Sequence, residues 1–186
     1  MGHMAPRHFW TKDGLPLLVR TVRQEDAAGC LELAQATVRE GLYSITAPDE
    51  FRVDEEEERT RIARRVEDPD CLLLVAEAEG RVVGRLGLEC SARQRLRHRA
   101  TLHIAVAEGW RGRGVGTALM GCALDWAAAH PHIEKVSLTV LADNDRAIAL
   151  YRRIGFQEEG RQPREVRRGP GAYVDAILMY RFVKEK

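Results

Sequence analysis

Two stretches of this sequence decide its fold: RGRGVGT at residues 111–117 and NDRAIALYRRIGF at residues 144–156. The first is rich in glycine and joins a strand-like run, 100–107, to a helical run. The second has Ala147, Leu150 and Ile154 at helical spacing, with Gly155 placed to end the helix. A β-branched run at 136–141 lies between them. This strand–helix–strand order predicts local parallel pairing with a right-handed crossover.

Hydrophobic periodicity on either side of these stretches predicts the remaining elements. Strands are expected at 17–22, 71–76, 81–89, 156–162 and 173–182, with a tight turn at Glu79-Gly80. One helix should follow 23–26 and bury Ala27, Leu31, Ala34 and Val38. A second, at 54–66, has so thin an apolar stripe that it should lie on the surface. The stretch 161–171 reads as the longest polar loop. Together these elements predict a mixed α/β sheet with helices on both faces.

Length and composition indicate one ordinary globular domain. The chain has 186 residues, 45% of them apolar and 31% charged, with a formal net charge of +1. That charge favours neither nucleic acid nor a membrane surface as a partner. No apolar run approaches the roughly 20 residues of a membrane helix, and no signal peptide is visible, so we expect a cytoplasmic protein. Residues 1–4 resemble a cloning scar, which leaves 5–186 as the single domain.

The cysteine pattern predicts no metal site. Cys30, Cys71, Cys90 and Cys122 are far apart in sequence and form no C-x-x-C pair. Free thiols in a reducing compartment are the simplest interpretation. We therefore expect no metal cofactor.

The glycine-rich turn is a candidate anion site. Glycines let backbone N–H groups approach an anion, and the first amides of a helix carry partial positive charge. A Walker loop would need a lysine after the glycines, and a dinucleotide fingerprint would need a glycine at 117 or 119; both are missing. A plain tight turn remains the alternative. The candidate phosphate-binding residues are Arg111, Gly112, Arg113, Gly114, Val115, Gly116 and Thr117.

The two motifs taken together resemble a known family. R-x-x-G-x-G at 111–116, followed by N-x-x-A-x-x-L-Y-x-x-x-G-F at 144–156, resembles the GCN5-related N-acetyltransferases, the GNAT family. The resemblance covers about residues 17–182. It implies a mostly antiparallel central sheet with a splayed parallel strand pair at its centre. It also implies acetyl-CoA as the cosubstrate and direct acetyl transfer to a primary amine.

The resemblance also implies roles for individual residues. Ile104, Ala105 and Val106 match the strand whose backbone pairs with the pantetheine arm, as an added strand would. The turn at 111–117 matches the pyrophosphate loop, and backbone amides near Val106 would stabilise the oxyanion. Asn144 matches an asparagine that hydrogen-bonds the pantetheine. Tyr151 matches the general acid that protonates the departing thiolate.

The general base stays open. Ribosomal-protein acetyltransferases of this family carry a glutamate at the position of Thr139, and threonine cannot serve as that base. Glu89, His103 and Glu108 are the candidates in this sequence, and each has an ordinary structural alternative. A water chain with no single base is a further possibility.

The tail of the chain bears on the acceptor. Glu159-Gly160, the pattern Gly171-x-Tyr173-x-Asp175, and 138–144 resemble bacterial amino-acid and spermidine N-acetyltransferases. This favours a small-molecule amine such as an amino acid, with a polyamine or a protein N-terminus as alternatives. Related enzymes often pair through sheet edges, which suggests a homodimer.

Two readings from other classes remain. The first is a non-catalytic acyl-CoA sensor, which would not need an acid such as Tyr151. The second is an ATP-binding protein, and the missing lysine in the glycine-rich turn argues against it. The basic segments 93–99 and 161–168 could hold the adenosine 3′-phosphate and an acidic substrate, or simply be solvated.

Overall fold

The structure is a computed structural model that describes residues 2–184. Met1, part of the proposed scar, and residues 185–186 lie outside the described residues. Eight strands and four helices follow one another, with short 3-10 turns at 24–26, 94–96 and 108–110. In chain order they are β1 Arg7–Trp10, β2 Pro16–Thr21, α1 Ala27–Glu40, α2 Glu55–Glu67, β3 Cys71–Ala78, β4 Arg81–Cys90, β5 Arg99–Val106, α3 Val115–Ala129, β6 Lys135–Leu141, α4 Asp145–Arg153, β7 Gln157–Gly169 and β8 Ala172–Phe182.

The strands form one sheet in the order β1-β2-β3-β4-β5-β6-β8-β7. Every neighbouring pair is antiparallel except β5 and β6, which are parallel and pair only from Arg99/Lys135 to Thr101/Ser137. Beyond that point the two central strands separate. The expected fold class, a mostly antiparallel sheet with a splayed parallel pair, is confirmed.

Helices cover both faces of the sheet, and β3 shows why. Its side chains alternate, so Leu72 and Leu74 enter the larger core beneath α3 and α4. Leu73 and Val75 enter a smaller core with Ile62 of α2 and residues of α1. A strand covered on both faces needs the continuous apolar run that CLLLVA provides.

The prediction of a long polar loop at 161–171 is wrong. Residues up to Gly169 belong to β7, which pairs with β8 along its length through several register shifts. β7 is the last strand of the sheet and is mostly exposed on both faces. Because neither face is buried, the alternating apolar pattern that reveals most strands is missing.

Three further differences concern the first half of the chain. The strand β1 was not predicted; Phe9 packs against the core, but Trp10 is exposed. α2 is not purely a surface helix, since Ile62 and Glu58 are both buried. In α1 the buried residues include Cys30 and Leu33, so its core face is rotated from the predicted one. These short or thin stripes leave the helical phase poorly determined by sequence.

The N-terminus of the described chain is tied to the sheet. Met4 packs against the larger core, and its backbone N–H donates to the Thr21 hydroxyl over 2.9 Å. Among residues 2–184, no helix has the length and apolar character needed to span a membrane.

Candidate active site

A gap between the splayed strands β5 and β6 is the centre of the candidate site. The His98 carbonyl accepts from the Lys135 N–H at 3.1 Å, so it faces β6, whereas the Ala107 N–H donates to Val83 on the β4 side at 2.9 Å. Backbone groups of alternate residues point to the same side of a strand. The backbone N–H and C=O groups of Leu102, Ile104 and Val106 therefore point into the gap. The pairing of β5 with β6 ends before these residues, at Thr101 and Ser137.

This edge bears on the prediction that 104–106 pair with a pantetheine arm. Ile104 and Val106 present backbone groups to the gap, while those of Ala105 face β4, in register with Arg85. An open strand edge can accept an extended ligand as an additional strand. Two of the three predicted residues are thus placed to do so.

The glycine-rich turn lies at the wide end of this gap. Gly112 and Gly114 have φ values of 80° and 100°, and Gly114 is the N-cap of α3 with no side-chain cap. No heavy atom lies within 4 Å of where a Cβ would be at either position. The N–H groups of Val115, Gly116 and Thr117 are in the first helical turn, where they have no intrahelical partner. The turn therefore has the open helix N-terminus that suits an anion.

The Arg111 guanidinium is paired with protein groups beside this turn. Its Nε donates to the Val106 carbonyl at 2.9 Å, and its two terminal nitrogens donate to the Glu40 carboxylate at 2.7 and 3.0 Å. The Arg111 and Glu40 side chains are each 18% exposed. The guanidinium thus joins the end of β5 to the end of α1.

Arg113 is also paired with a carboxylate. It forms an ion pair with Asp13, and its guanidinium carbon lies 4.3 Å from the Trp110 ring centre. The Lys12 N–H donates to the Arg113 carbonyl at 3.0 Å. The turn between β1 and β2 therefore supports the glycine-rich turn, a contact that sequence analysis did not anticipate.

Asn144 and α4 form another wall of the site. Asn144 is the N-cap of α4, and its Oδ1 accepts from the Ala147 N–H at 3.2 Å. Its amide nitrogen keeps its donors available. A Cβ on Gly116 would be 3.1 Å from Leu150, so α4 packs closely against the first turn of α3.

Tyr151 lies in this helix and is buried, 7% exposed, with its ring centre 6.0 Å from that of Phe156. Burial raises the pKa of Tyr151 to about 12. No hydrogen bond among residues 2–184 involves its hydroxyl, and in that range the only fully buried side-chain polar atom without a hydrogen bond is Glu58 Oε1. The Tyr151 hydroxyl therefore reaches accessible space, protonated and free to donate.

The structure separates the three candidate bases. His103 is exposed on β5, opposite Gly87, on the sheet face that α1 and α2 partly cover. Glu89 of β4 is opposite Thr101, at the level where β5 is still paired with β6. Its carboxylate oxygen Oε1 lies 2.6 Å from Nη2 of Arg65. Glu108 is exposed in the turn after β5. His103 alone is on the gap-lining part of β5.

Thr139 and Ser137 of β6 share a face with Thr101 and His103, because paired residues in neighbouring strands point the same way. Thr139 is exposed. We call this side of the gap the acceptor face. A second cleft, of about 550 Å³, begins at Thr117 on the opposite side and runs between α3, the end of α4 and Arg181 of β8.

The two basic segments lie apart from each other. Segment 93–99 runs into the first residue of β5, so nearly the whole strand separates it from the glycine-rich turn. Its Arg97 pairs with Asp70 at 3.0 Å. In segment 161–168, Arg161 pairs with Asp175, and Arg168 pairs with Asp143. Within residues 2–184, no three His, Cys, Asp or Glu side chains cluster as metal ligands do.

Sequence reasoning missed Glu40, Asp143 and the role of Arg168. The Arg168 guanidinium also donates to the Leu42 carbonyl. No local motif marks these residues, because each contacts a partner from a distant part of the chain.

Comparison with known proteins bears on this geometry. A sequence model of the acetyltransferase (GNAT) family matches residues 39–156. L-amino acid N-acetyltransferase AaaT of Escherichia coli is 36% identical over 118 residues, which is 63% of this chain and 72% of that protein. N-alpha-acetyltransferase RimI of Mycobacterium tuberculosis is 30% identical over 165 residues, 88% of this chain and 93% of that protein.

A solved structure shows the same architecture. The acetyltransferase of the GNAT family from Streptococcus pneumoniae superposes with a TM-score of 0.85 at 26% identity. The match covers 90% of this chain and 99% of that one.

Proposed function

The chain belongs to the acetyltransferase (GNAT) family and is an N-acetyltransferase that uses acetyl-CoA, and we propose that its acceptor is the amine of a small molecule, an α-amino acid. The likeness to L-amino acid N-acetyltransferase AaaT supports the acceptor, and the observation that carries the use of acetyl-CoA is the junction of the open β5 edge with the N-terminus of α3. An extended amide-containing arm and an anionic group can be bound there side by side.

The cosubstrate fits this junction. The pyrophosphate would lie on the N–H groups of 113–117, where Gly112 and Gly114 leave the surface open. The pantetheine arm would pair with the backbone of Ile104 and Val106, and the Asn144 amide would donate to it. The cleft beside Thr117 has room for the adenosine part, with Arg153 and Arg181 in its wall.

The acceptor amine has to lose a proton before it attacks, because an ammonium has no lone pair. We propose His103 as the group that takes this proton, directly or through a water molecule. It is exposed on the acceptor face and belongs to the strand that holds the thioester. Glu89 is less suited, since Arg65 pairs with it where β5 and β6 are still joined.

The attack forms a C–N bond and turns the thioester carbonyl into an oxyanion. Backbone N–H groups on the gap side of β5 would donate to this oxygen. As the C–S bond breaks and the carbonyl re-forms, Tyr151 would give its proton to the thiolate of CoA. The nitrogen loses its second proton in this collapse, and that proton would return through water to Tyr151. Such general acid assistance typically speeds a step by about 10²–10⁴-fold.

The charges around the acceptor face favour an amino acid over a polyamine. A polycation needs carboxylates that are not already paired with protein cations. Four carboxylates on this side of the described chain are each paired with an arginine: Glu40 with Arg111, Glu58 with Arg85, Glu89 with Arg65 and Asp143 with Arg168. This arrangement supports a singly charged or zwitterionic acceptor.

The test is CoA-thiol release from acetyl-CoA across a panel of amines. Proteinogenic amino acids should give the highest kcat/KM, with spermidine and an alanine-terminated peptide at least about tenfold lower, a difference of about 1.4 kcal/mol in transition-state binding. Mass spectrometry of the product should locate the acetyl group on nitrogen. A panel in which only peptides or only spermidine turn over would reject the amino-acid proposal.

A further inference from the structure

The two sides of the gap are connected at its wide end. On the β5 side, Arg111 binds the Val106 carbonyl through Nε and the Glu40 carboxylate through both terminal nitrogens. Glu40 is the last residue of α1. The end of β5 is therefore tied to the end of α1.

On the β6 side, Arg168 of β7 makes the corresponding contacts. Its Nη1 is 2.5 Å from Asp143 Oδ2, and its Nη2 is 3.2 Å from Asp143 Oδ1. Nη2 also donates to the Leu42 carbonyl. Asp143 follows Leu141, the last residue of β6, by two positions. The end of β6 is therefore tied to Leu42.

Only Gly41 separates the two attachment points. Its φ of 64° ends α1 and turns the chain. Two residues apart, the Glu40 and Leu42 Cα atoms are at most about 7 Å from each other. We call residues 40–42 the strap, because this short segment connects both splayed strands through one arginine on each side.

The strap connects β5 and β6 at a level where the sheet has no hydrogen bonds between these two strands. Beyond Thr101 and Ser137 no backbone pairing holds β5 and β6 at a fixed separation. The strap contacts link the two strand ends across the acceptor face. The Arg111 contact also fixes the orientation of the Val106 carbonyl at the end of β5.

We propose that the strap sets the width of the gap and that Arg111 is a positioning residue for the pantetheine arm of acetyl-CoA rather than a ligand of its pyrophosphate. The proposal rests on the proposed use of the gap. Three of the five guanidinium N–H donors, those of Nε and one on each terminal nitrogen, are already used by Val106 and Glu40. Neither bidentate pair of donors is therefore wholly free for a phosphate, and the Glu40 carboxylate offsets the charge.

The two roles of Arg111 predict opposite effects of Glu40→Gln. If Arg111 were a phosphate ligand held back by Glu40, removing the carboxylate charge would free it, and acetyl-CoA would bind more tightly. If the strap positions β5, the same change loosens the edge, and acetyl-CoA binds more weakly.

The experiment is calorimetric titration with two ligands that need no acceptor. Acetyl-CoA contains both the pantetheine arm and the pyrophosphate, whereas adenosine 3′-phosphate 5′-diphosphate lacks the arm. Glu40→Gln and Arg168→Gln should each weaken acetyl-CoA binding by about threefold to tenfold. Neither should change the affinity for the diphosphate by more than about twofold.

Glu55→Gln is the matched control, because it removes one carboxylate from an exposed ion pair with Arg59 on α2. It should leave both affinities unchanged, and circular dichroism should show all three variants folded. Tighter acetyl-CoA binding in Glu40→Gln, equal losses for the two ligands, or an unaffected Arg168→Gln would overturn the strap. Wild-type protein that binds neither ligand would contradict the proposed function and the strap with it.

Discussion

Among single residues, Tyr151 shows most directly how the fold sets chemistry. Its ring is packed beside Phe156, and burial disfavours the charged phenolate, which raises the pKa to about 12. The group therefore stays protonated throughout the physiological range. A proton donor that remains protonated, with no hydrogen-bond partner for its hydroxyl among residues 2–184, suits protonation of a leaving thiolate.

We expect Tyr151→Phe to lower kcat by about tenfold to a thousandfold, because it removes only the proton donor. The ring and its packing remain, so the melting temperature and the acetyl-CoA Kd should change little. Steady-state kinetics with the preferred amine, together with calorimetry, measure both quantities. In the wild-type protein, ionisation of the Tyr151 hydroxyl should not lower kcat below about pH 10.

Unchanged kcat in the folded variant would mean that another group protonates the thiolate. A large drop in melting temperature together with lost activity would assign Tyr151 a packing role instead.

At the scale of elements, the N-terminus of α3 combines two requirements in one turn. Gly114 has a left-handed φ of 100°, which only glycine adopts without strain, and it also caps a helix with no side chain of its own. The helix amides and the missing Cβ together leave space and partial positive charge for an anion. Strain and charge can be separated by substitution at this position.

We expect Gly114→Asp to weaken acetyl-CoA binding at least about tenfold more than Gly114→Asn, a difference of about 1.4 kcal/mol. The two side chains have the same shape and tolerate the left-handed region equally, so they share whatever strain arises. Only aspartate places a negative charge where the pyrophosphate is proposed to bind. Calorimetry in low and high salt measures the difference, which should shrink as salt screens the charge.

Equal affinities in the aspartate and asparagine variants would show that the anion binds elsewhere. Equal melting temperatures are the internal control.

For the molecule as a whole, a buried ion-pair network joins β2, β3 and the start of α1, several strands away from the gap in the sheet order. Arg20 of β2 donates to Asp26 at 2.7 and 2.8 Å and to Glu77 of β3 at 2.8 Å, and the side chains of Arg20 and Asp26 are 8% and 11% exposed. Burial raises the pKa of Asp26, but the hydrogen bonds from Arg20 and from the Arg23 N–H outweigh it. The pKa of Asp26 therefore lies below its ordinary value of 3.8.

The sign of the effect on stability follows. A carboxylate with a lower pKa in the folded than in the unfolded state stabilises the fold above the unfolded value, and this contribution is lost as pH falls through the folded value. We expect Asp26→Asn to cost about 1–3 kcal/mol at neutral pH. The variant should also lose less stability than wild type as pH falls below about 4.

Urea unfolding at neutral and acid pH measures this prediction. Asp49→Asn, on the exposed loop after α1, is the control and should behave as wild type. If the wild type and Asp26→Asn lose the same free energy of unfolding on acidification, other carboxylates determine the acid sensitivity of the fold.

The central part of this protein could be predicted from its sequence. The turn at 111–117, the strands on either side of it, and the helix ending at Gly155 are local features, because glycine placement and apolar spacing act within a few residues. The family follows from them, and with it the use of acetyl-CoA. Tyr151 and Asn144 could be nominated in the same way, although their roles remain proposals, as does the expected homodimer.

The partners of the charged residues and of the edge strands became known only from the three-dimensional packing. Arg111 was expected at a phosphate, yet it binds Glu40, 71 positions away, and Arg168 reaches Leu42, 126 positions away. β1 and β7 are edge strands without a buried alternating face, so the sequence carries little signal for them. The two arginines and the two edge strands share one cause. Their contacts are long-range and depend on how the elements pack, so the neighbouring residues in sequence do not specify which side chain or strand they meet.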